Sequence, residues 1–88
     1  MLLGEEISLM PIPRKKDQLD RLVLKSLKSQ VGRHWNDSRK FIDVENNRVV
    51  FHLRLANSVK VLEQYRIRYE NVTFRITGEV WSIDWIYK

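Results

Sequence analysis

The chain has 88 residues, of which 43% are hydrophobic, so it contains enough apolar surface for one core but not for two. It has no cysteine, which excludes disulfide bonds and thiolate zinc sites. Sixteen basic and eleven acidic residues give a formal net charge of +5, which favours acidic partners such as nucleic acid.

Residues 1–13 contain both prolines of the chain, Pro11 and Pro13, which are excluded from helix interiors. We interpret this segment as an N-terminal arm, either a flap or edge strand or a mobile terminus. Residues 14–88 are expected to form the single domain. No apolar run reaches the roughly 20 residues that cross a bilayer, and Glu5 and Glu6 replace the basic residues of a signal peptide. We therefore expect a cytoplasmic protein.

From Asp17 onward, apolar residues recur three or four positions apart, which predicts a long amphipathic helix. Its apolar stripe consists of Leu19, Leu22, Val23, Leu27 and Val31. Asp17 suits the first turn, and Gly32 suits the helix exit.

Two apolar segments, Phe41 to Val44 and Arg48 to Leu55, flank Glu45-Asn46-Asn47. Asparagine tolerates the left-handed backbone conformation that tight turns require. The pattern therefore predicts a β-hairpin.

Residues 59–76 fit both a helical period and a period of two. The density of β-branched and aromatic residues after Tyr65 favours a short helix from Ser58 to Gln64, followed by strands joined at Glu70-Asn71. Thr77-Gly78-Glu79 predicts a turn, and Val80 to Tyr87 a last strand. The predicted fold is α+β, with the long N-terminal helix packed on an antiparallel sheet of four to five strands and a short middle helix.

Basic residues occupy alternate positions of the predicted strands and would share one exposed face of the sheet. They are Arg48, His52, Arg54, Arg66, Arg68 and Arg75. Such a face suits phosphate contacts, so the expected function is non-catalytic binding of DNA or RNA. Acidic neighbours such as Asp43 and Asp84 can neutralise these charges.

The last strand supports an alternative function. Trp81, Trp85 and Tyr87 lie on one side of this strand, which is expected at or near a sheet edge where open backbone groups invite pairing with another chain. The sequence thus also fits a protein-interaction or homo-oligomerisation module, although the competing explanation is core packing, and we expect two of these three rings to be buried.

The sequence contains no motif that indicates a catalytic function. His34 and His52 are the only histidines, no serine has the surroundings of an activated nucleophile, and the three glycines stand alone rather than in a phosphate loop. We expect no enzymatic activity, no metal, no cofactor and no small-molecule substrate.

Three short segments resemble the latter half of the N-terminal domain of the bacterial replication initiator DnaA. They are Glu45-Asn-Asn-Arg-Val-Val-Phe, Leu62-Glu63 with Tyr65, and Thr77-Gly78-Glu79 before Ser82-Ile83. The resemblance covers about half of the chain, and Val61 stands where that family often has tryptophan. It implies one long helix from Asn57 to Ile76 and a module that recruits the replicative helicase and binds single-stranded DNA weakly.

Overall fold

A computed structural model describes residues 15–88 of the chain. The predicted N-terminal arm, residues 1–13, lies outside the described residues. The elements are, in chain order, α1 (Lys16–Ser26), α2 (Ser29–Asp37), β1 (Lys40–Asp43), β2 (Arg48–Leu53), α3 (Ala56–Thr77) and β3 (Ser82–Tyr87). The predicted α+β class is confirmed, but the number and order of the elements differ from the prediction.

The sheet of the described region has three strands in the order β1-β2-β3, not the four to five that the sequence suggested. The β1–β2 hairpin is antiparallel, as predicted, with Phe41 opposite Val50. The expectation of a wholly antiparallel sheet is wrong, because β3 pairs parallel to β2, with Val49 opposite Ile83. A parallel pair needs a long crossover connection, and α3 provides it.

The hairpin turn is stabilised by its own polar side chains. The Asp43 carboxylate accepts hydrogen bonds from the Glu45 and Asn46 backbone N–H groups at 3.2 and 3.3 Å and from the Asn46 amide at 2.7 Å. Asn47 has a φ of 52°, the left-handed conformation that asparagine tolerates. These hydrogen bonds also hold the pKa of Asp43 below its usual range.

The two strands expected within Tyr65 to Ile76 are wrong, as is the short middle helix, because the chain forms one 22-residue helix there. Leu62, Tyr69 and Val72 are buried at helical spacing, so packing overrides the local β preference. Gly78 ends the helix with a φ of 76°, which confirms the predicted turn. The helix implied by the DnaA resemblance, Asn57 to Ile76, matches the observed bounds within one residue at each end.

The predicted long N-terminal helix is in fact two helices, since Leu27 and Lys28 have extended backbone with ψ of 148° and 161°. No proline or glycine marks this break. Gly32, the predicted exit, lies buried inside α2. The break allows both Val23 of α1 and Trp35 of α2 to reach the same core.

All three helices lie on one face of the sheet, and the core fills the space between the two layers. Its centre is aromatic: the Phe51 and Tyr69 rings stack at 5.5 Å, and Trp35 meets both rings edge-on at 5.7 and 5.1 Å. The other face of the sheet carries Phe41 and Ile86, which are 57% and 44% exposed. Only one face of the sheet therefore contributes to the core.

Candidate nucleic-acid interface

Three strand ends and two helix ends meet at one end of the sheet. Because β1 runs antiparallel to β2, the start of β1 lies beside the end of β2, and the parallel β3 ends there too. Two backbone hydrogen bonds hold this arrangement, from the His52 N–H to the Arg39 carbonyl at 2.8 Å and from the Lys88 N–H to the Leu53 carbonyl at 3.2 Å. The C-terminal part of α2 and the first turns of α3 complete the walls.

These segments enclose an open cleft of about 1060 Å³, which we call the basic cleft. Its charged lining residues are Arg33, Arg39, Arg54, Lys88 and Asp37. Within residues 15–88, no carboxylate lies within ion-pair distance of the three guanidinium groups. All three arginines are exposed. Their positive charge is therefore available to an anion.

The N-terminus of α3, like the three arginines, favours a negatively charged ligand in the basic cleft. The N-cap, Leu55, offers no side-chain hydrogen bond, and the first turn carries no acidic residue. The backbone N–H groups at the start of a helix and its macrodipole favour a negative charge there. Arg54 stands immediately before this turn, so helix end and guanidinium reinforce each other.

His34 and Tyr65 line the inner part of the basic cleft and contact the buried rings of Phe51 and Tyr69. The His34 ring packs against both Phe51 and Tyr69, with its centroid 5.9 Å from each, and meets Tyr65 edge-on at 5.5 Å. The His34 Nδ1 atom and the Tyr69 hydroxyl form a hydrogen bond of 2.5 Å, and that hydroxyl also lies 3.3 Å from the Val31 carbonyl. Burial raises the pKa of Tyr69. The Tyr69 hydroxyl behind this lining is therefore hydrogen-bonded and uncharged at neutral pH.

Burial lowers the pKa of His34, and the positive charge of Lys40 lowers it further. Its Nε2 atom is buried and has no hydrogen-bond partner among the described residues. The protonated ring would carry a buried Nε2–H with no acceptor among the described residues, so the folded state disfavours that charge. Burial also lowers the pKa of Lys40.

We expect the free energy of unfolding to decrease as the pH falls below about 6.5, the pKa of an unperturbed histidine. Below that pH the unfolded chain binds a proton that the folded protein resists, so stability is complete above it and is lost as the pH approaches the lowered pKa of His34. Urea unfolding at pH 7.5, 6.0 and 5.0 measures this loss.

Replacing His34 with phenylalanine should remove the loss, while replacing the exposed His52 with glutamine should leave it unchanged. Asp43 does not interfere, because its pKa is lowered from 3.8 and its contribution is lost only at more acidic pH. Equal pH dependence in His34→Phe and the unsubstituted protein would contradict this assignment.

The six basic residues expected on one sheet face lie in four places, because half of them belong to α3. His52 and Arg54 line the basic cleft. Arg48 lies on the open sheet face, where its Nε is 3.0 Å from the Asp84 carboxylate. Arg66 lies on α3, with its Nε 3.7 Å from Glu70 and its guanidinium 5.5 Å from the Trp85 ring.

The remaining two arginines, Arg68 and Arg75, line a separate groove of about 250 Å³ on another side of α3, together with Lys28. The expected common basic face is therefore not formed: two of the six residues lie in the basic cleft, two are ion-paired and two lie in this second groove.

The three aromatic residues expected at an interface differ in how far they are exposed to solvent. Trp81 is buried, and its indole N–H donates a hydrogen bond to the Thr77 hydroxyl at 2.9 Å. Trp85 packs partly against the core and carries Arg66 over its ring. Tyr87 is 53% exposed. Only Tyr87, and in part Trp85, is accessible to a partner.

Sequence reasoning did not identify Arg33, Arg39 or Lys88 as site residues. Their convergence depends on which strand ends share an edge of the sheet, and the parallel placement of β3 decides that. A weak local signal exists at Arg54, which directly precedes an uncapped helix start.

Among residues 15–88, no group of three histidine or acidic side chains could hold a metal ion. Within the same range, no helix has the length and apolar character needed to cross a bilayer. Comparisons of the chain with models of protein families, with curated proteins and with solved structures found no match in any of the three.

Proposed function

We propose that this domain is a non-catalytic nucleic-acid-binding module and that the basic cleft is its binding site. One observation carries the proposal: Arg33, Arg39 and Arg54, from three separate segments, line the same cleft as the start of α3 and have no carboxylate partner in the described region. Guanidinium groups and helix N-termini are the groups that bind phosphate oxygens in nucleic-acid complexes.

Single-stranded nucleic acid fits this site better than a duplex. The cationic groups line a concave cleft rather than a protruding helix or ribbon that enters a groove. His52 and Tyr65 lie in the same lining and offer ring surfaces for unstacked bases. Contacts of this kind depend on backbone phosphates and rings, so we expect little sequence preference.

The test is a titration of a fluorescent 12-nucleotide DNA or RNA strand, followed by anisotropy at low salt. The double substitution Arg39→Glu/Arg54→Glu should weaken binding at least tenfold, because it replaces attraction with repulsion at two positions of the cleft lining. Both side chains are exposed, so the circular dichroism spectrum and thermal midpoint should remain close to those of the unsubstituted protein.

The matched control is Arg68→Glu/Arg75→Glu, which changes the net charge by the same amount on another side of α3. It should retain most of the affinity, apart from a small general loss from the lower net charge. If both double variants lose affinity equally, net charge rather than the basic cleft determines binding, and the proposed site is wrong.

A second candidate is a protein-interaction or homo-oligomerisation module, for which β3 provides the surface. Its outer edge pairs with no strand among the described elements, and Ile86 and Tyr87 beside it are 44% and 53% exposed. The DnaA resemblance adds that such a module could act in replication. A dimer formed through this edge would have a mass that rises with concentration and changes little with salt, which distinguishes it from phosphate binding.

A further inference from the structure

The C-terminal half of α3 carries two parallel stripes on its solvent side. Ile67 and Phe74 are seven residues apart and are 67% and 49% exposed. Arg68 and Arg75 follow them directly in sequence and repeat the same spacing. Residues seven apart lie almost above one another, about 10.5 Å along a helix. An apolar stripe therefore runs beside a basic one.

The basic stripe borders the groove of about 250 Å³ between α3 and the α1–α2 junction. Leu27, Val31 and Val72 contribute its apolar surface, and Lys28 adds a third cation from the opposite side. None of its lining residues is acidic, and within residues 15–88 no carboxylate lies within ion-pair distance of Lys28, Arg68 or Arg75. The groove thus combines unneutralised positive charge with apolar side chains.

We propose that this surface, the α3 stripes together with the groove beside them, binds an acidic amphipathic helix of a partner protein. Apolar side chains of that helix would cover Ile67 and Phe74, and its carboxylates would meet Arg68 and Arg75. A seven-residue repeat on both helices keeps the same faces in contact over two turns. An amphipathic helix recognised through evenly spaced anchors is an established mode of recognition.

Charge and spacing favour this occupant over the alternatives. A second copy that used the same face would bring Arg68 and Arg75 against the same residues of its neighbour, which costs energy through like-charge repulsion. Nucleic acid would find no aromatic ring in the lining of the groove, and the two arginines stand about 10.5 Å apart, wider than successive phosphates of a strand. Phe74, the exposed ring beside the groove, belongs to the apolar stripe.

The probe is a designed helical peptide based on alanine and glutamine, with leucines seven residues apart and a glutamate on each side of every leucine, so that either orientation can bind. A second peptide carries lysine in place of each glutamate. Binding is followed by ¹H–¹⁵N chemical shifts of the full chain. We expect saturable shifts at Ile67, Arg68, Phe74 and Arg75 with the glutamate peptide, with a Kd below about 1 mM, and none with the lysine peptide.

Charge exchange gives the sharpest check. Arg68→Glu/Arg75→Glu should lose the glutamate peptide and gain the lysine peptide, whereas a mere loss of structure would lose both. Ile67→Ser/Phe74→Ser should weaken binding of either peptide at least tenfold, because it removes the apolar anchors. Arg39→Glu/Arg54→Glu should bind the glutamate peptide as the unsubstituted protein does.

Three results would overturn the proposal: no saturable binding of the glutamate peptide, shifts centred on another surface, or displacement of the peptide from this groove by a single-stranded oligonucleotide. The last result would assign the groove to nucleic acid. The basic cleft is tested separately, by whether Arg39→Glu/Arg54→Glu loses affinity for the oligonucleotide.

Discussion

Replacing Trp35 with alanine should destabilise the domain by about 3–5 kcal/mol, as full removal of a large buried ring does. The Trp35 side chain is fully buried, and its ring meets Phe51 and Tyr69 edge-on. Its indole N–H also donates a hydrogen bond of 2.5 Å to the Asp20 carboxylate, which joins α1 to α2. The free energy of unfolding of so small a domain is only a few kcal/mol, so a large fraction of the Trp35→Ala molecules should be unfolded.

Contacts of Lys40 with Trp35 should add to the loss of stability in Trp35→Ala. Its ammonium group donates a hydrogen bond of 2.5 Å to the Trp35 carbonyl, lies 4.7 Å from the centre of the ring and is 3.8 Å from Asp20. Removing the ring leaves this cation beside a cavity. Urea unfolding followed by circular dichroism measures the loss of stability.

The matched control is Trp35→Phe, which keeps most of the aromatic contact but removes the hydrogen bond to Asp20. It should cost clearly less than Trp35→Ala. If Trp35→Ala lost under about 1 kcal/mol, the ring would not be the anchor between α2 and the sheet that the packing indicates.

The affinity for single-stranded nucleic acid should fall roughly twentyfold between 50 and 200 mM salt if three phosphates are neutralised in the basic cleft. Each neutralised phosphate of a single strand adds about −0.7 to the slope of log K against log salt, so Arg33, Arg39 and Arg54 together give a slope near −2. Lys88 would make the slope steeper if it also contacts a phosphate.

Neutralising one guanidinium group of the basic cleft should change the slope of log K against log salt by the contribution of one phosphate contact. Arg54→Gln should make the slope less negative by about 0.7, whereas Arg48→Gln should leave it unchanged, because Arg48 already pairs with Asp84. A slope near zero, or an equal effect of both substitutions, would show that phosphate contacts in the basic cleft do not determine the affinity.

Local sequence was sufficient wherever a few neighbouring residues decide the conformation. Asp43 and the asparagines after it form the hairpin turn through hydrogen bonds within four residues, and Gly78 ends α3 because glycine accepts a positive φ without steric cost. The α+β class also followed from the local patterns.

Tertiary structure decided the rest. Residues 65–76 satisfy a period of two as well as a helical one, and only the burial of Tyr69 and Val72 against the other elements selects the helix. That helix carries the chain back so that β3 runs parallel to β2, which brings the end of β3 beside Arg39 and Arg54.

Because residues 65–76 form a helix and not strands, Arg66, Arg68 and Arg75 lie on α3 and not on the sheet. Sequence by itself determined the composition, the net positive charge and the turns, since these depend on residues near one another in the chain. The convergence of cations in the basic cleft depends on contacts between residues far apart in sequence, and no local pattern encodes which strand ends will share one edge.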